Sequence, residues 1–242
     1  MTKDGRIGYA IIGCGMISGF HGSAIDRIPE AELVGVCGFD PQESLRGAER
    51  FGAKPYLSRD EIWKDDQVDA VCVCTPSGLH GEIALEAVTH GRHVLIEKPM
   101  AMTLEECDLI IQAAAEQKVL AGVVSQLRYS PSIRYVKQVM DEGGLGRLIG
   151  ADLYMKYYRS QEYYDSSPWR GTRSLDGGAL MNQGIHGVDL LRYINYYHKK
   201  SEASLYIIRC FCQIVQLTAE KSKKIWSKCK AEDHKNDIKI RK

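Results

Sequence analysis

Short apolar runs alternate with stretches of helical spacing through the first 125 residues. Arg6 to Ile12, Leu33 to Phe39, Lys54 to Leu57, Val68 to Cys74, His93 to Ile96 and Val119 to Ser125 have strand length and near-continuous apolar character. That is the pattern of strands buried on both faces. Between them, helices are predicted from near Met16 to Pro29, Gln42 to Gly52, Ser58 to Lys64, Glu82 to His90 and Thr103 to Gln117. Ser58 and the Thr103/Glu106 capping box mark two starts, and Gly52 and Gly91 mark two stops. Strict alternation of strand and helix predicts a doubly wound α/β domain with a parallel sheet. Beyond it, Pro131 to Glu142 reads as a helix stopped by Gly143-Gly144, and Leu148 to Tyr158 as a strand of a different sheet.

The points where apolar runs end carry the candidate chemistry. The first run leads into Gly13-Cys14-Gly15-Met16-Ile17-Ser18, a dinucleotide-binding turn with serine at the third glycine position. Gly13 permits the tight turn, and Gly15 lets the backbone approach a pyrophosphate. Met16 and Ile17 lie where the following helix offers its amides and positive dipole end to that anion. The second run ends in Asp40, 22 residues beyond Ser18, where a carboxylate meets the adenosine ribose hydroxyls and repels a 2'-phosphate. NAD is therefore favoured over NADP; Asp40 also suits a helix cap before Pro41.

Val71 to Cys74, a crossover helix and His93 to Ile96 form a strand, helix, strand unit. Ligands of open parallel sheets lie beyond the carboxyl ends of the strands, so Thr75-Pro76 and Glu97-Lys98-Pro99 fall where a cofactor would rest. Lys98 is the candidate centre of the chemistry. His80, just beyond Thr75-Pro76, either touches ligand or faces solvent, whereas His93 reads as structural. Tyr154 to Arg173 is dense in tyrosine and arginine and either grips a polar ring or packs its aromatics. Gly177-Gly178 then lead into a helix bearing Asn182 and His186 four residues apart, on one face, a candidate acid/base pair.

Composition narrows the partners. In 242 residues, 32 basic and 31 acidic side chains leave a formal charge of +1, which gives no electrostatic case for nucleic acid or an anionic membrane. The longest apolar segment, Leu205 to Leu217, is interrupted by Arg209 and Gln213 and is too short to span a bilayer; periodicity leaves it open between strand and helix. The eight cysteines read as reduced thiols of a cytoplasmic protein, and the two Cys-x-Cys pairs as packing residues, with no metal site expected.

Together the Gly-x-Gly turn, Thr75-Pro76 with His80, Glu97-Lys98-Pro99, Gln126 with Arg128 and Pro131, Trp169-Arg170-Gly171, and the run from Gly177 to Asp189 resemble the Gfo/Idh/MocA family of NAD(P)-dependent sugar and polyol oxidoreductases. The resemblance covers roughly residues 5 to 196. It implies a Rossmann domain (1–125), then a partial substrate and oligomerisation α/β domain with an open sheet (126–197). It implies hydride transfer between a nicotinamide cofactor and a carbinol of a sugar, polyol or sugar derivative, and leaves a homo-oligomer open. By the same resemblance Lys98 and His186 are catalytic, and Asn182 stands where many members carry aspartate. An amide orients a hydroxyl but cannot act as a carboxylate base, so proton transfer would fall to Lys98 and His186.

After Tyr196 the resemblance stops, and residues 198–242 form a divergent Lys-rich tail without glycine or proline. A genuine divergent ending competes with a truncated or frame-shifted product. The second is favoured, because the break is abrupt and the missing strands would cover the sheet's apolar face. The alternative functional expectation is therefore a catalytically impaired dinucleotide-binding protein.

Overall fold

The computed structural model describes residue 2 and residues 4–146, 150–195 and 207–214. The remainder of the tail, including Cys229, lies outside the described residues, as do 147–149 at the start of the expected second-domain strand. Two compact units divide the chain, Met1–Val124 and Ser125–Lys242.

The first unit contains β1 (Ile7–Ile12), α1 (Ser18–Ile25), β2 (Ala31–Cys37), α2 (Pro41–Phe51), β3 (Lys54–Pro55), α3 (Arg59–Trp63), β4 (Ala70–Val73), α4 (His80–Thr89), β5 (His93–Ile96), α5 (Leu104–Gln117) and β6 (Ala121–Val123). The strands form one parallel sheet in the order β3-β2-β1-β4-β5-β6. The order reverses between β1 and β4, which makes a crevice beyond their carboxyl ends. Ile12 pairs with Val73 and Val73 with Ile96, so β1, β4 and β5 finish level and release Gly13, Cys74 and Glu97 side by side.

Alternation along the strands sends side chains to two cores. Ala10, Ile12, Val71, Val73 and Ile96 pack with Ile62, Ile83 and Ile110 of α3, α4 and α5. Ile11, Val36, Cys72 and Cys74 pack on the other side with Ile25 of α1 and Ala48 of α2. Each fully buried Val or Ile contributes about 1.5–3 kcal/mol, so burial does much to hold both helical layers to the sheet. Cys72 and Cys74 share one face as packing thiols, as their spacing predicts.

Local chemistry sets the helix limits. Asp40 caps α2 by accepting from the Glu43 N–H at 2.8 Å, and Gly52 closes it at φ +63°. Thr103 and Glu106 form the expected capping box of α5. Three expectations need correction. The first helix starts at Ser18 rather than near Met16, because Met16 and Ile17 form a tighter turn whose carbonyls accept from Gly19 and Phe20. It ends at Ile25, four residues before Pro29, whose ring disfavours helical backbone in the preceding residue. Ser58 sits at the start of α3 without a side-chain bond; Glu61 instead turns back to accept from the Leu57 N–H at 2.8 Å.

The second unit contains a 3-10 turn (Gln126–Tyr129), α6 (Pro131–Asp141), β7 (Gly150–Tyr157), α7 (Gln161–Asp165), a π-helical turn (Leu180–Gly184), α8 (Ile185–Asn195) and β8 (Ile207–Ile214). β8 pairs with β7 in parallel, Gly150 opposite Ile207 through Tyr157 opposite Ile214. The described part of the segment that periodicity left undecided, Ile207–Ile214, is thus a strand, and the described part of this sheet is open and two-stranded. Arg128 fixes the 3-10 turn to α8 through a two-pronged contact on Asp189, Nε donating to Oδ2 at 2.9 Å and Nη2 to Oδ1. Its guanidinium also stacks over Tyr193, 5.0 Å from the ring centroid.

Candidate functional site

In the first unit the crevice between β1 and β4 begins at Gly13. Its φ is +96°, and its N–H donates to the Cys37 carbonyl at 2.8 Å. A side-chain carbon there would lie 2.7 Å from the Cys74 backbone, whereas one on Gly15 would meet nothing within 4 Å. Gly13 is therefore required by the fold, and Gly15 leaves open space above the turn. Ser18 is fully buried and donates its hydroxyl to the Gly15 carbonyl at 2.6 Å, which holds the turn's shape. α1 has no side-chain cap and no acidic residue in its first turn, so its positive end is not neutralised from within. Met16 is 75% exposed beside it.

The rim of the crevice adds polar groups. The Thr75 hydroxyl oxygen is buried without a hydrogen-bond partner, an orphan at the end of β4 next to Gly13. Asp40 is exposed at the end of β2, with Oδ1 engaged by its helix cap. An open turn, an uncapped helix end, an unmet hydroxyl and a carboxylate past β2 fit a dinucleotide.

His80 does not face solvent. It is 1% exposed, with Nδ1 2.7 Å from the Pro99 carbonyl and Nε2 2.9 Å from the Thr75 carbonyl. The ring is a strut between the loops after β4 and β5, and both nitrogens are occupied by backbone. Through these two contacts it shapes Thr75-Pro76. Glu97 is likewise turned inward, 6% exposed, with Oε1 2.9 Å from His21 Nε2 and Oε2 3.3 Å from the Lys98 N–H. His21 was missed in the sequence. Its signal was a histidine at the i+4 position between Ile17 and Ile25, on the buried face of α1. Lys98 is half-buried at the end of β5, and its bond to Pro99 is cis. His93 accepts from the Leu120 N–H at 2.9 Å and is structural, as expected.

In the second unit Asn182 sits in the π-helical turn and His186, buried, in the first turn of α8. The helix bearing both is therefore not a continuous α-helix; such π turns recur at functional sites. Asn182 Nδ2 donates to Asp176 Oδ1, and its Oδ1 accepts from Gln183 Nε2 at 2.8 Å. Asp176, 2% exposed, also accepts from the Gly171 N–H at 2.7 Å. This buried carboxylate, not singled out in the sequence, fixes the Asn182 amide. Beside it lies a cavity of about 270 Å³ whose lining includes Arg159, Tyr163, Tyr164, Asp176, Asn182 and Gln183. Burial raises the pKa of the Tyr164 hydroxyl.

Comparison with known proteins identifies both units. Residues 7–125 match the model described as oxidoreductase family, NAD-binding Rossmann fold, and residues 133–200 match the GFO/IDH/MocA C-terminal domain. The chain belongs to the Gfo/Idh/MocA oxidoreductase family. Within it, the first unit is an NAD(P)-binding Rossmann domain. Among solved members, the WlbA dehydrogenase of Bordetella pertussis, in complex with NADH and UDP-GlcNAcA, is 38% identical with a TM-score of 0.76. That match covers 80% of this chain and 56% of that one. The WlbA dehydrogenase of Chromobacterium violaceum, with the same ligands, is 38% identical with a TM-score of 0.75, over 79% and 56% of the two chains. Glucose-6-phosphate 3-dehydrogenase of Bacillus subtilis is 31% identical over 186 residues, 76% of this chain and 52% of that enzyme. This Gfo/Idh/MocA member spans about half the length of the curated relatives it matches.

Among the described residues, no cluster of three or more His, Cys, Asp or Glu could hold a metal ion. No described helix is long and apolar enough to cross a membrane.

Proposed function

We propose that the protein is an oxidoreductase that moves a hydride between NAD and a CH–OH carbon of a sugar, polyol or sugar derivative. The observation that carries this reading is the crevice where β1 and β4 part: the open Gly15 turn and the orphaned Thr75 hydroxyl lie beside β5, which leads into Glu97 and Lys98. The division of labour is dinucleotide binding by residues 1–125 and substrate binding by 126–197, followed by the tail at 198–242. The relatives support the substrate class, since two of those named carry UDP-GlcNAcA and one is named for glucose 6-phosphate.

Gly13, Gly15, Met16 and Ile17 take the pyrophosphate, Asp40 takes the adenosine ribose, and Thr75, Pro76, Glu97 and Lys98 border the nicotinamide. When bound, NAD supplies the hydride acceptor. Asp40 favours NAD over NADP because its carboxylate and a 2'-phosphate repel each other. Lys98, as an ammonium, donates a hydrogen bond to the substrate oxygen and stabilises negative charge that develops there. His186 removes the hydroxyl proton in oxidation and returns it in reduction. Asn182, held by Asp176, orients that hydroxyl without exchanging a proton. The free Cys14, Cys37, Cys72, Cys74 and Cys107 suit a reducing, cytoplasmic setting.

Thermal unfolding of the whole chain, titrated separately with NADH and NADPH, tests the cofactor assignment. A panel of sugars and polyols with Lys98→Ala and His186→Ala tests the chemistry. The expected result is a rise in melting temperature with NADH and turnover that each substitution reduces at least about a hundredfold. NADH binding without turnover of any panel member would instead assign a catalytically impaired dinucleotide-binding protein. No shift with either nucleotide would overturn both readings.

A further inference from the structure

The cavity of the second unit has a charge pattern that neither the fold nor the proton chemistry requires. Arg159 lines it, and its guanidinium stacks 5.2 Å from the centre of the Tyr163 ring and 5.5 Å from that of Tyr157. Arg170 stacks on the same Tyr163 ring at 4.2 Å and on Trp169 at 4.7 Å. Two guanidiniums thus share one aromatic ring, although like charges brought together in a partly desolvated place repel. Neither forms an ion pair with a carboxylate among the described residues, and the Nε atom of each is buried without a hydrogen-bond partner. Arg159 makes one contact to backbone, from Nη1 to the Tyr158 carbonyl at 3.2 Å.

The nearby carboxylates form no ion pair with either guanidinium among the described residues. Asp176 lines the same cavity but is 2% exposed, and its two oxygens accept from Asn182 and from the Gly171 N–H. Glu162 and Asp165 stand exposed on α7, outside the lining, and Asp165 accepts from Gln161 at 2.9 Å. Stacking on aromatic rings holds a guanidinium in place while leaving its edge for an anion. The volume of about 270 Å³ lies at the small end of small-molecule sites, suited to one sugar ring rather than a dinucleotide. Tyr163 and Tyr164 meet edge to face with ring centres 5.2 Å apart and offer apolar surface to such a ring, while the Gln183 amide offers hydrogen bonds to hydroxyls.

We propose that this cavity selects an anionic sugar derivative, with the Arg159 guanidinium holding the anion, a carboxylate or a phosphoryl group, and Arg170 reinforcing the positive field. That the ligand is the redox substrate rests on the oxidoreductase reading above; the anion preference itself does not. A charge-assisted, two-pronged guanidinium contact in a part-dry site gives about a ten- to a hundredfold preference over a neutral analogue.

The test is calorimetric titration of the whole chain with D-glucuronate, D-glucose 6-phosphate and D-glucose, repeated with Arg159→Gln and Arg159→Lys. At least one acid should bind about tenfold or more tightly than glucose, with a margin that shrinks as salt is raised. Arg159→Gln should erase the margin, and Arg159→Lys should keep part of it as a point charge. A stronger response to glucuronate identifies a carboxylate and to glucose 6-phosphate a phosphoryl group. Equal affinity for all three, no binding of any, or a margin that survives Arg159→Gln overturns the proposal. Should that variant fail to fold, the wild-type margin and its salt dependence decide alone. A parallel melt with NADH separates the two readings: an NADH shift without acid preference overturns only this inference, whereas acid preference without an NADH shift removes the redox reading and leaves the cavity assignment.

Discussion

Gly13→Ala and Gly15→Ala, two residues apart in the same turn, are expected to fail in opposite ways. At Gly13 the new methyl would sit 2.7 Å from the Cys74 carbonyl carbon and oxygen and 2.8 Å from the Thr75 nitrogen. These are backbone atoms, and the strand end that bears them is tied to β1 by the Cys74 N–H to Ile12 carbonyl bond at 2.7 Å, so relief requires parting the two central strands. The φ of +96° adds a penalty of about 1–2 kcal/mol for a residue with a Cβ. Overpacking of the strand ends adds about 1–3 kcal/mol. The sum, about 2–5 kcal/mol, is a large share of the roughly 5–15 kcal/mol that holds a domain folded. At Gly15 the same methyl meets nothing within 4 Å, so the unliganded protein should keep its stability to within about 0.5 kcal/mol. There the methyl fills the space through which a pyrophosphate approaches, and NADH affinity should fall at least about tenfold. At saturating NADH that removes about 1.4 kcal/mol from the ligand-induced stabilisation. Urea unfolding with and without NADH measures both quantities. A Gly13→Ala protein that unfolds at the wild-type midpoint, or a Gly15→Ala protein that keeps the whole NADH increment, would refute the division of roles.

Asp40 separates cap from cofactor: Asp40→Asn keeps the side-chain acceptor of α2 and should leave the melting temperature unchanged while narrowing the NADH over NADPH margin. Asp40→Ala should narrow that margin as well but lower the melting temperature, at a cost of about 1 kcal/mol. Burial pushes the Cys72 thiol up to about 12 and raises Cys74 further, so both should resist iodoacetamide at pH 8 in the folded protein and react once it is unfolded, as mass spectrometry of the labelled peptides would report. Rapid native labelling would contradict the packing of β4. Burial opposes the charge of Asp65, but the Lys54 ammonium, the Gln67 N–H and the Tyr56 hydroxyl outweigh it and lower its pKa. Its contribution to stability is therefore present above the unfolded carboxylate pKa and lost as the pH falls below about 4. Asp65→Asn should be less stable than wild type at pH 7, with the gap closing near pH 3; a gap independent of pH would contradict the lowered pKa.

Much of the first unit was legible because its determinants are local or periodic. Strands covered on both faces read as continuous apolar runs, and caps such as Asp40 and Thr103 need only neighbours three residues away. The Gly-x-Gly turn was legible for the same reason, since its geometry is set within six residues. What escaped depends on partners distant along the chain. His21 meets Glu97 across 76 positions, and His80 meets the Pro99 carbonyl across 19. The start of α1 was misplaced by two residues because the carbonyls of Met16 and Ile17 close a tighter turn, a competition that composition does not reveal.

By itself the sequence determined the order of strands and helices, the turn at Gly13 and Gly15, and the family to which the chain belongs. These follow from residue type and spacing, which hydrophobic burial and backbone sterics read directly. Only the tertiary structure decided that Ile207–Ile214 is a strand, because an apolar run of that length becomes one when a neighbouring edge, here β7, accepts its backbone. It alone decided that His80 and Glu97 face inward while the Thr75 hydroxyl is left without a partner. It also brought Arg159 and Tyr163 to the wall of a cavity, with Arg170 stacked on the same Tyr163 ring, turning an arginine- and tyrosine-rich stretch into a candidate site. A side chain's partner is fixed by three-dimensional packing, and spacing along the chain carries no record of it.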